Sequence, residues 1–119
     1  MITMRDILKK LNADLGINGS MVITPDGIMV SAALGPGFEE DSMAAFAASL
    51  LLSLKRSLLA MRPQGAMRSC TLNASSGKLM FFDMQNSYLV LVADASMTLD
   101  GNAVPVQDAI HKITNRRIA

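Results

Sequence analysis

The side chains able to do acid–base chemistry are few and far apart in this chain. His111 is the only histidine, and Asp108 stands three residues before it, which places both on one face of a helix. Such a pair could act as a general base oriented by a carboxylate. An exposed helix residue near a C-terminus is the more common role, and no serine or cysteine is linked to His111 by sequence. We therefore predict no catalytic residue.

The single cysteine, Cys70, excludes a disulfide within the chain and fits a reducing compartment. Its thiol could react, or it could approach Cys70 of a second copy across a two-fold axis. Packing as a small residue in a strand is the favoured role. One histidine, one cysteine and scattered carboxylates make a poor ligand set for a metal ion. We expect no metal site and no cofactor.

The stretch Ser75-Ser76-Gly77-Lys78 has a faint likeness to a phosphate-binding loop. A Walker loop needs glycine at the position of Leu72 and serine or threonine at the position of Leu79. The strand–loop–helix context of such a loop is missing as well. A hairpin turn is the better interpretation, so the chain itself is not predicted to bind a nucleotide.

The composition indicates one globular domain over residues 1–119. Half of the residues are apolar, which is enough for a core, and the net charge of +1 gives no field for nucleic acid. No uninterrupted apolar run reaches the roughly 20 residues that cross a bilayer. We therefore expect a cytoplasmic protein with no nucleic-acid partner and no membrane insertion.

The secondary-structure signals follow the order αββαβββα. Thr3 and Asp6 resemble a capping box at the start of a first helix, and Gly16 is its expected stop. Pro25-Asp26-Gly27 is the clearest hairpin turn. Pro and Gly in 62–65 end the long second helix. The five predicted strands cover 19–24, 28–33, 67–74, 78–84 and 88–93, and a last helix follows Pro105. Hairpin-length turns make this an antiparallel α+β domain, and the doubly apolar last strand requires helices on both faces.

The long helix, predicted over 39–61, has more apolar surface than one sheet can cover. At roughly 100° per residue, two apolar faces and a narrow polar strip result. One face comprises Met43, Phe46, Ala47, Leu50, Leu54, Leu58 and Met61; the other Ala44, Ala48, Leu51, Leu52 and Leu59; the strip Ser42, Ser49, Ser53 and Arg56. We expect the first face to pack on the sheet and the Ala44–Ala48–Leu51 face to meet a second copy, although the sequence does not decide between the two.

Three stretches in succession resemble the roadblock / dynein light-chain family. They are 19–23 running into Asp26-Gly27, the alanine-rich helix around 43–48, and the hairpin that leads from 77–79 to 88–92. The likeness covers about nine-tenths of the chain. It implies a roadblock/profilin-like fold, with a five-stranded antiparallel sheet, the long helix on one face and the terminal helices on the other.

The resemblance also implies a homodimer in which the long helices lie side by side and the sheets join through strand 67–74. The dimer-interface residues predicted on this basis are Ala44, Ala48, Leu51, Lys55, Arg68, Cys70 and Leu72. Family members typically regulate or scaffold Ras-like small GTPases. We predict partner contacts at Leu34, Pro36 and Phe38.

Two functions from different classes are compatible with these observations. The first is a non-enzymatic homodimeric module that binds and regulates a Ras-like GTPase. An arginine finger from Arg56, Arg62 or Arg68 is conceivable there, although solvated positions are the favoured role of these side chains. The second is a scaffold dimer that assembles a larger complex without a GTPase. A small-molecule sensor or enzyme ranks last, because convergent polar groups are lacking.

Overall fold

The computed structural model describes residues 2–61, 67–98, 100 and 103–116. Within these ranges the elements follow the predicted order. They are α1 (Met4–Leu15), β1 (Gly19–Ile23), β2 (Met29–Leu34), α2 (Glu40–Met61), β3 (Ser69–Ala74), β4 (Gly77–Asp83), β5 (Tyr88–Ala93) and α3 (Val104–Arg116). The predicted turn over 62–65, with Arg62, lies outside the described residues.

The five strands form one antiparallel sheet in the order β2-β1-β5-β4-β3. β5 is central, and all six of its residues are buried, as its uniformly apolar sequence predicts. β2 and β3 are the two edge strands. The predicted fold class is therefore confirmed, with strand ends that differ from the predicted ones by one or two residues.

The first helix has the end structures predicted from its sequence. The Thr3 backbone N–H donates to Asp6 Oδ2 at 2.9 Å, and the Asp6 N–H donates to Thr3 Oγ1 at 3.1 Å, which completes the capping box. Gly16 ends the helix at φ 68°, where its missing Cβ removes the steric cost of a left-handed conformation.

Two apolar layers hold the helices on opposite faces of the sheet. α1 and α3 pack together on one face, where Leu8, Leu11 and Val106 are buried with Leu89 and Leu91 of β5. α2 covers the other face. The buried residues there are Met21, Ile23, Ala32, Ala44, Ala47, Leu51, Phe81, Tyr88 and Val90.

The side of α2 that packs on the sheet differs from the predicted one. Ala44 is 3% exposed, Ala47 1% and Leu51 1%, so these residues form the seam with the sheet. The prediction that Ala44 and Leu51 meet a second copy is therefore wrong: the small alanine side chains bring the helix close to the strands of its own chain. The neighbouring Ala48 packs on the β1–β2 turn, because a Cβ built at Gly27 would lie 2.7 Å from its Cβ. The polar strip of Ser42, Ser49, Ser53 and Arg56 is exposed, as predicted.

Candidate functional site

The solvent-facing half of α2 carries two apolar flanks separated by the polar strip. The Phe46 flank consists of Met43, Phe46 and Leu50, and Phe46 is 52% exposed. The Leu52 flank consists of Leu52 and Leu59, which are 51% and 55% exposed. Exposed large apolar side chains that cluster on one element are typical of surfaces that bind another protein.

The Phe46 flank lies beside the β3 edge of the sheet. Met43 and Phe46 line a groove of about 290 Å³ whose opposite wall includes Leu72 of β3 and Leu79 of β4. Leu72 and Cys70 are half-buried on the α2 face of β3. The helix flank and the strand edge therefore form one continuous apolar surface.

The hydrogen-bonding groups along the outer side of β3 follow from its register with β4. The Asp83 N–H donates to the Arg68 carbonyl at 2.9 Å. Hydrogen-bonded pairs alternate with non-bonded pairs along an antiparallel ladder. Cys70 and Leu72 therefore also bond to β4. The backbone N–H and C=O groups that point outward, away from β4, belong to Ser69, Thr71 and Asn73. Such an edge is a template for another strand.

Two further predicted interface residues have well-defined positions. Lys55 is half-buried on α2, and its Nζ lies 4.9 Å from the centre of the Tyr88 ring. This contact links the helix to the first residue of β5 and contributes a cation–π attraction. Arg68 is exposed just before β3. Neither residue takes part in the Phe46 groove.

The three residues predicted to contact a partner line one groove. Leu34, Pro36 and Phe38 belong to the connection between β2 and α2, and they form one wall of an open groove of about 640 Å³. The other wall is α1, which contributes Arg5, Lys9 and Asn12. We call this groove, between α1 and the β2–α2 connection, the α1–loop groove. Sequence analysis missed Arg5 and Lys9, although their spacing of four residues on the polar side of α1 places them together.

Buried and half-buried hydrogen bonds hold the two walls of the α1–loop groove in place. Asn12 Nδ2 donates to the Ala33 carbonyl at 2.8 Å, and Ser20 Oγ donates to Asn12 Oδ1 at 2.7 Å. The Gly35 N–H donates to the Asn18 carbonyl at 2.9 Å. A side chain at Gly35 would clash there, since its Cβ would lie 2.8 Å from that carbonyl oxygen. The groove is therefore preorganised.

The acid–base candidates do not come together. Asp108 binds Lys112, with 2.9 Å between Oδ2 and Nζ, and this hydrogen bond is the first cause that lowers the pKa of Asp108. His111 is exposed and has Asn115 Nδ2 2.9 Å from its Nε2. Asp108 therefore engages the lysine and leaves the imidazole to Asn115.

The other chemical candidates occupy structural positions. Ser75 and Ser76 form the β3–β4 turn, as predicted, and Lys78 donates to the Met97 carbonyl. Among the described residues, no group of three or more histidine, cysteine, aspartate or glutamate side chains could hold a metal ion.

By length and composition alone, α2 is also a candidate membrane span. Its 18-residue apolar window has a mean hydropathy of 1.4, and only 17% of that window is buried. The buried core helix of a water-soluble protein passes the same test. Here Ala44, Ala47 and Leu51 are already packed on the sheet, and Arg56 interrupts the exposed side.

Comparison with known proteins gives the family of the chain. The family model of the Roadblock/LC7 domain matches residues 4–93. An uncharacterised protein of Methanocaldococcus jannaschii is 27% identical over 107 residues, which cover 90% of this chain and 93% of that protein.

Solved structures agree in fold. A Roadblock/LC7 domain from Streptomyces avermitilis has a TM-score of 0.80 at 17% identity, over 97% of this chain and 98% of that one. MglB from Myxococcus xanthus has a TM-score of 0.78 at 15% identity, over 94% and 92%.

Proposed function

The chain belongs to the Roadblock/LC7 domain family, and on this premise we propose that it is a cytoplasmic, non-enzymatic homodimer that binds and regulates a Ras-like small GTPase. In this proposal residues 1–119 act as one domain. The resemblance of the sequence to the family, whose members typically regulate or scaffold such GTPases, gives the class of partner. The residues that would form each contact come from the exposed surfaces described above.

The observation that carries the proposal is the incomplete burial of α2. The helix has 22 residues, and its sheet-facing seam leaves Phe46, Leu52 and Leu59 about half exposed. Removal of apolar area from water contributes roughly 25 cal/mol per Å². A helix with apolar side chains on both flanks of its solvent side is thus suited to contact two further surfaces.

The Phe46 flank and the β3 edge are the surface we assign to the second copy. Two β3 strands can pair antiparallel about a two-fold axis through their outward-facing groups, since Thr71 is the middle one of the three outward residues. That pairing would bring two Phe46 flanks together above the joined sheets. Cys70 and Leu72 would then lie in the interface, whereas Ala44 and Leu51 would remain within each chain's own core.

The GTPase would contact the α1–loop groove, whose wall contains Leu34, Pro36 and Phe38. Regulation would consist of holding the switch loops of the GTPase in one arrangement, or of tethering it, on a surface built by the dimer. No catalytic group from this chain is required for either mode.

A scaffold without a GTPase is the second candidate, and the other sheet edge favours it. Ile28, just before β2, is 61% exposed and Val30 within β2 is 49% exposed. A dimer with two such edges could join further subunits in a row. The two functions differ in whether the bound partner is a nucleotide-dependent switch.

Size-exclusion chromatography with light scattering tests the proposal. The wild-type protein is mixed with each cognate Ras-like GTPase, loaded with GDP or with a non-hydrolysable GTP analogue. We expect a complex with one GTPase that depends on the nucleotide, and weaker binding by Phe38→Ala. Ile28→Ala, which truncates an exposed apolar residue outside the groove, is the matched control. Failure of every GTPase to bind in either state would reject the proposal and leave the scaffold function.

A further inference from the structure

We propose that the α1–loop groove binds an acidic segment of a protein partner, with Arg5 and Lys9 facing carboxylates and Phe38 and Pro36 contacting an apolar side chain. This deepens the proposed function by giving the chemistry of the partner's contact segment.

The charged side chains that line the groove are all positive. Its lining contains two cations, Arg5 and Lys9, and no aspartate or glutamate. The salt bridges formed among the described residues, Lys10–Asp14 and Lys112–Asp108, lie elsewhere on the helices. Neither Arg5 nor Lys9 takes part in these salt bridges, so the groove offers two exposed positive charges in a protein whose net charge is only +1.

Acids that stand near the groove residues have hydrogen-bond partners of their own. Glu39, which follows Phe38, accepts from the Ser42 backbone N–H at 2.8 Å. Asp6, one turn from Lys9, accepts from the Thr3 backbone N–H as the helix cap. Asp94 accepts from Asn18 Nδ2 at 2.9 Å. Asp6 also attracts Lys9 through its charge, but no carboxylate lines the groove itself, so an external carboxylate is the group that complements Arg5 and Lys9 there.

The same groove also has an apolar part. Leu34 and Phe38 are half-buried and Pro36 is exposed, and Ile17 lies at the base. An apolar side chain that enters this part loses contact with water, while the flanking carboxylates stay near the solvated rim. This combination selects a segment that is acidic and carries at least one large apolar residue.

The shape and rigidity of the groove also favour a protein segment. The groove is concave, and the Asn12–Ala33 and Gly35–Asn18 hydrogen bonds fix its two walls before any partner binds. A preorganised groove loses little conformational entropy on binding. An open groove with a wall on each side suits a protein segment better than an anionic membrane, which is broad and flat.

The experiment is a titration of the full-length ¹⁵N-labelled protein followed by amide chemical shifts. The probes are a peptide with aspartates on both sides of one phenylalanine, the same peptide with lysines in place of aspartates, and vesicles of phosphatidylcholine and phosphatidylserine. We expect saturable shifts at Gly35 and Phe38 with the acidic peptide only. Added salt should weaken that binding, because it screens exposed charges.

Two charge-neutralising double variants provide the matched comparison. Arg5→Gln/Lys9→Gln removes the groove cations, which both lie on α1, and Lys10→Gln/Lys112→Gln removes two other exposed cations, one on α1 and one on α3. All four positions are exposed, and glutamine preserves helix propensity, so both variants should fold. The first should bind the acidic peptide about tenfold more weakly, as two exposed charge contacts imply, and the second should bind like the wild type.

Three outcomes of the titration would overturn the inference. They are no saturable shift with the acidic peptide at millimolar concentration, equal weakening by both double variants, and shifts at Gly35 and Phe38 with vesicles alone. Because the titration contains no GTPase, its result is independent of the proposed function. A GTPase that binds the wild type and Arg5→Gln/Lys9→Gln equally well would reject this inference while the proposed function stands.

Discussion

The Ser20 hydroxyl donates a hydrogen bond to Asn12 Oδ1 at 2.7 Å, and this bond joins α1 to β1. Ser20 is fully buried, and its Oγ is also 3.3 Å from the Leu8 carbonyl. Asn12 Nδ2 in turn donates a hydrogen bond to the Ala33 carbonyl of β2. One polar chain therefore positions α1 against both strands and, with it, the Arg5 and Lys9 wall of the groove.

Ser20→Ala should destabilise the protein because it leaves Asn12 Oδ1 without its donor. A half-buried acceptor deprived of its partner costs about 1–3 kcal/mol. Urea unfolding followed by circular dichroism measures the loss. Ser49→Ala, the same change at an exposed position of α2, should alter stability by no more than about 0.5 kcal/mol. Equal effects of the two variants would contradict the role given to Ser20.

A second prediction separates backbone strain from a steric contact. Gly27 and Gly37 both have φ 91°, but a Cβ at Gly27 would lie 2.7 Å from Ala48 Cβ, whereas one at Gly37 would meet nothing within 4 Å. Gly37→Ala should therefore cost only strain, about 1–3 kcal/mol. Gly27→Ala should cost a further ~1–3 kcal/mol, because the β1–β2 turn and α2 must separate.

Thermal unfolding of the two glycine variants measures the difference in their stability. The double variant Gly27→Ala/Ala48→Gly tests whether the contact with Ala48 causes that difference. Removing the Ala48 methyl should return part of the extra loss without restoring wild-type stability. If Gly27→Ala and Gly37→Ala are equally destabilised, then Ala48 does not pack on the turn.

The parts of the fold that the sequence predicted are those set by local chemistry. The Thr3–Asp6 capping box, the Gly16 stop and the Gly27 turn depend on residues within a few positions of one another. β5 was predictable because its residues are apolar on both faces. Each of these elements has a preference that no tertiary contact had to override.

The orientation of α2 was not predictable for a physical reason. Apolar residues surround most of the helix, so two faces fit the sheet almost equally well by periodicity alone. Packing decided between them: Ala44 and Ala47 allow a close approach that Phe46 does not. The α1–loop groove was missed in part because Arg5 and Phe38 are distant in sequence and are brought to one groove by tertiary contacts such as the Asn12–Ala33 hydrogen bond.

A third prediction concerns the stability of the protein at low pH. The hydrogen bond from the Thr3 backbone, followed by one from its side chain, lowers the pKa of Asp6. The pKa of an aspartate in the unfolded chain is about 3.9. A carboxylate whose pKa is lower in the folded state stabilises the fold at any pH above the unfolded pKa. This stabilisation is lost as the pH falls through the folded pKa. Asp6→Asn should therefore melt below the wild type at neutral pH, and the gap should narrow below about pH 4.

Melting temperatures of both proteins across this pH range provide the measurement. The acid end is an internal control, since a protonated aspartate and an asparagine are close in size and both uncharged. A gap that stays constant with pH would show that the Asp6 charge does not contribute through the cap.

The last prediction distinguishes the three sides of α2 by one substitution each. Phe46→Arg places a charge in the proposed seam between two copies, so it should give a folded monomer. Leu52→Arg alters the opposite flank, which is equally exposed, and should remain dimeric. Leu51→Arg puts the charge into the core, where an unpaired ion costs several kcal/mol, and should unfold or become insoluble. Light scattering and circular dichroism at micromolar concentration separate these outcomes.

Two results would contradict this assignment. A monomeric Leu52→Arg with a dimeric Phe46→Arg would move the seam to the other flank, and a monomeric wild type would remove the dimer from the proposal.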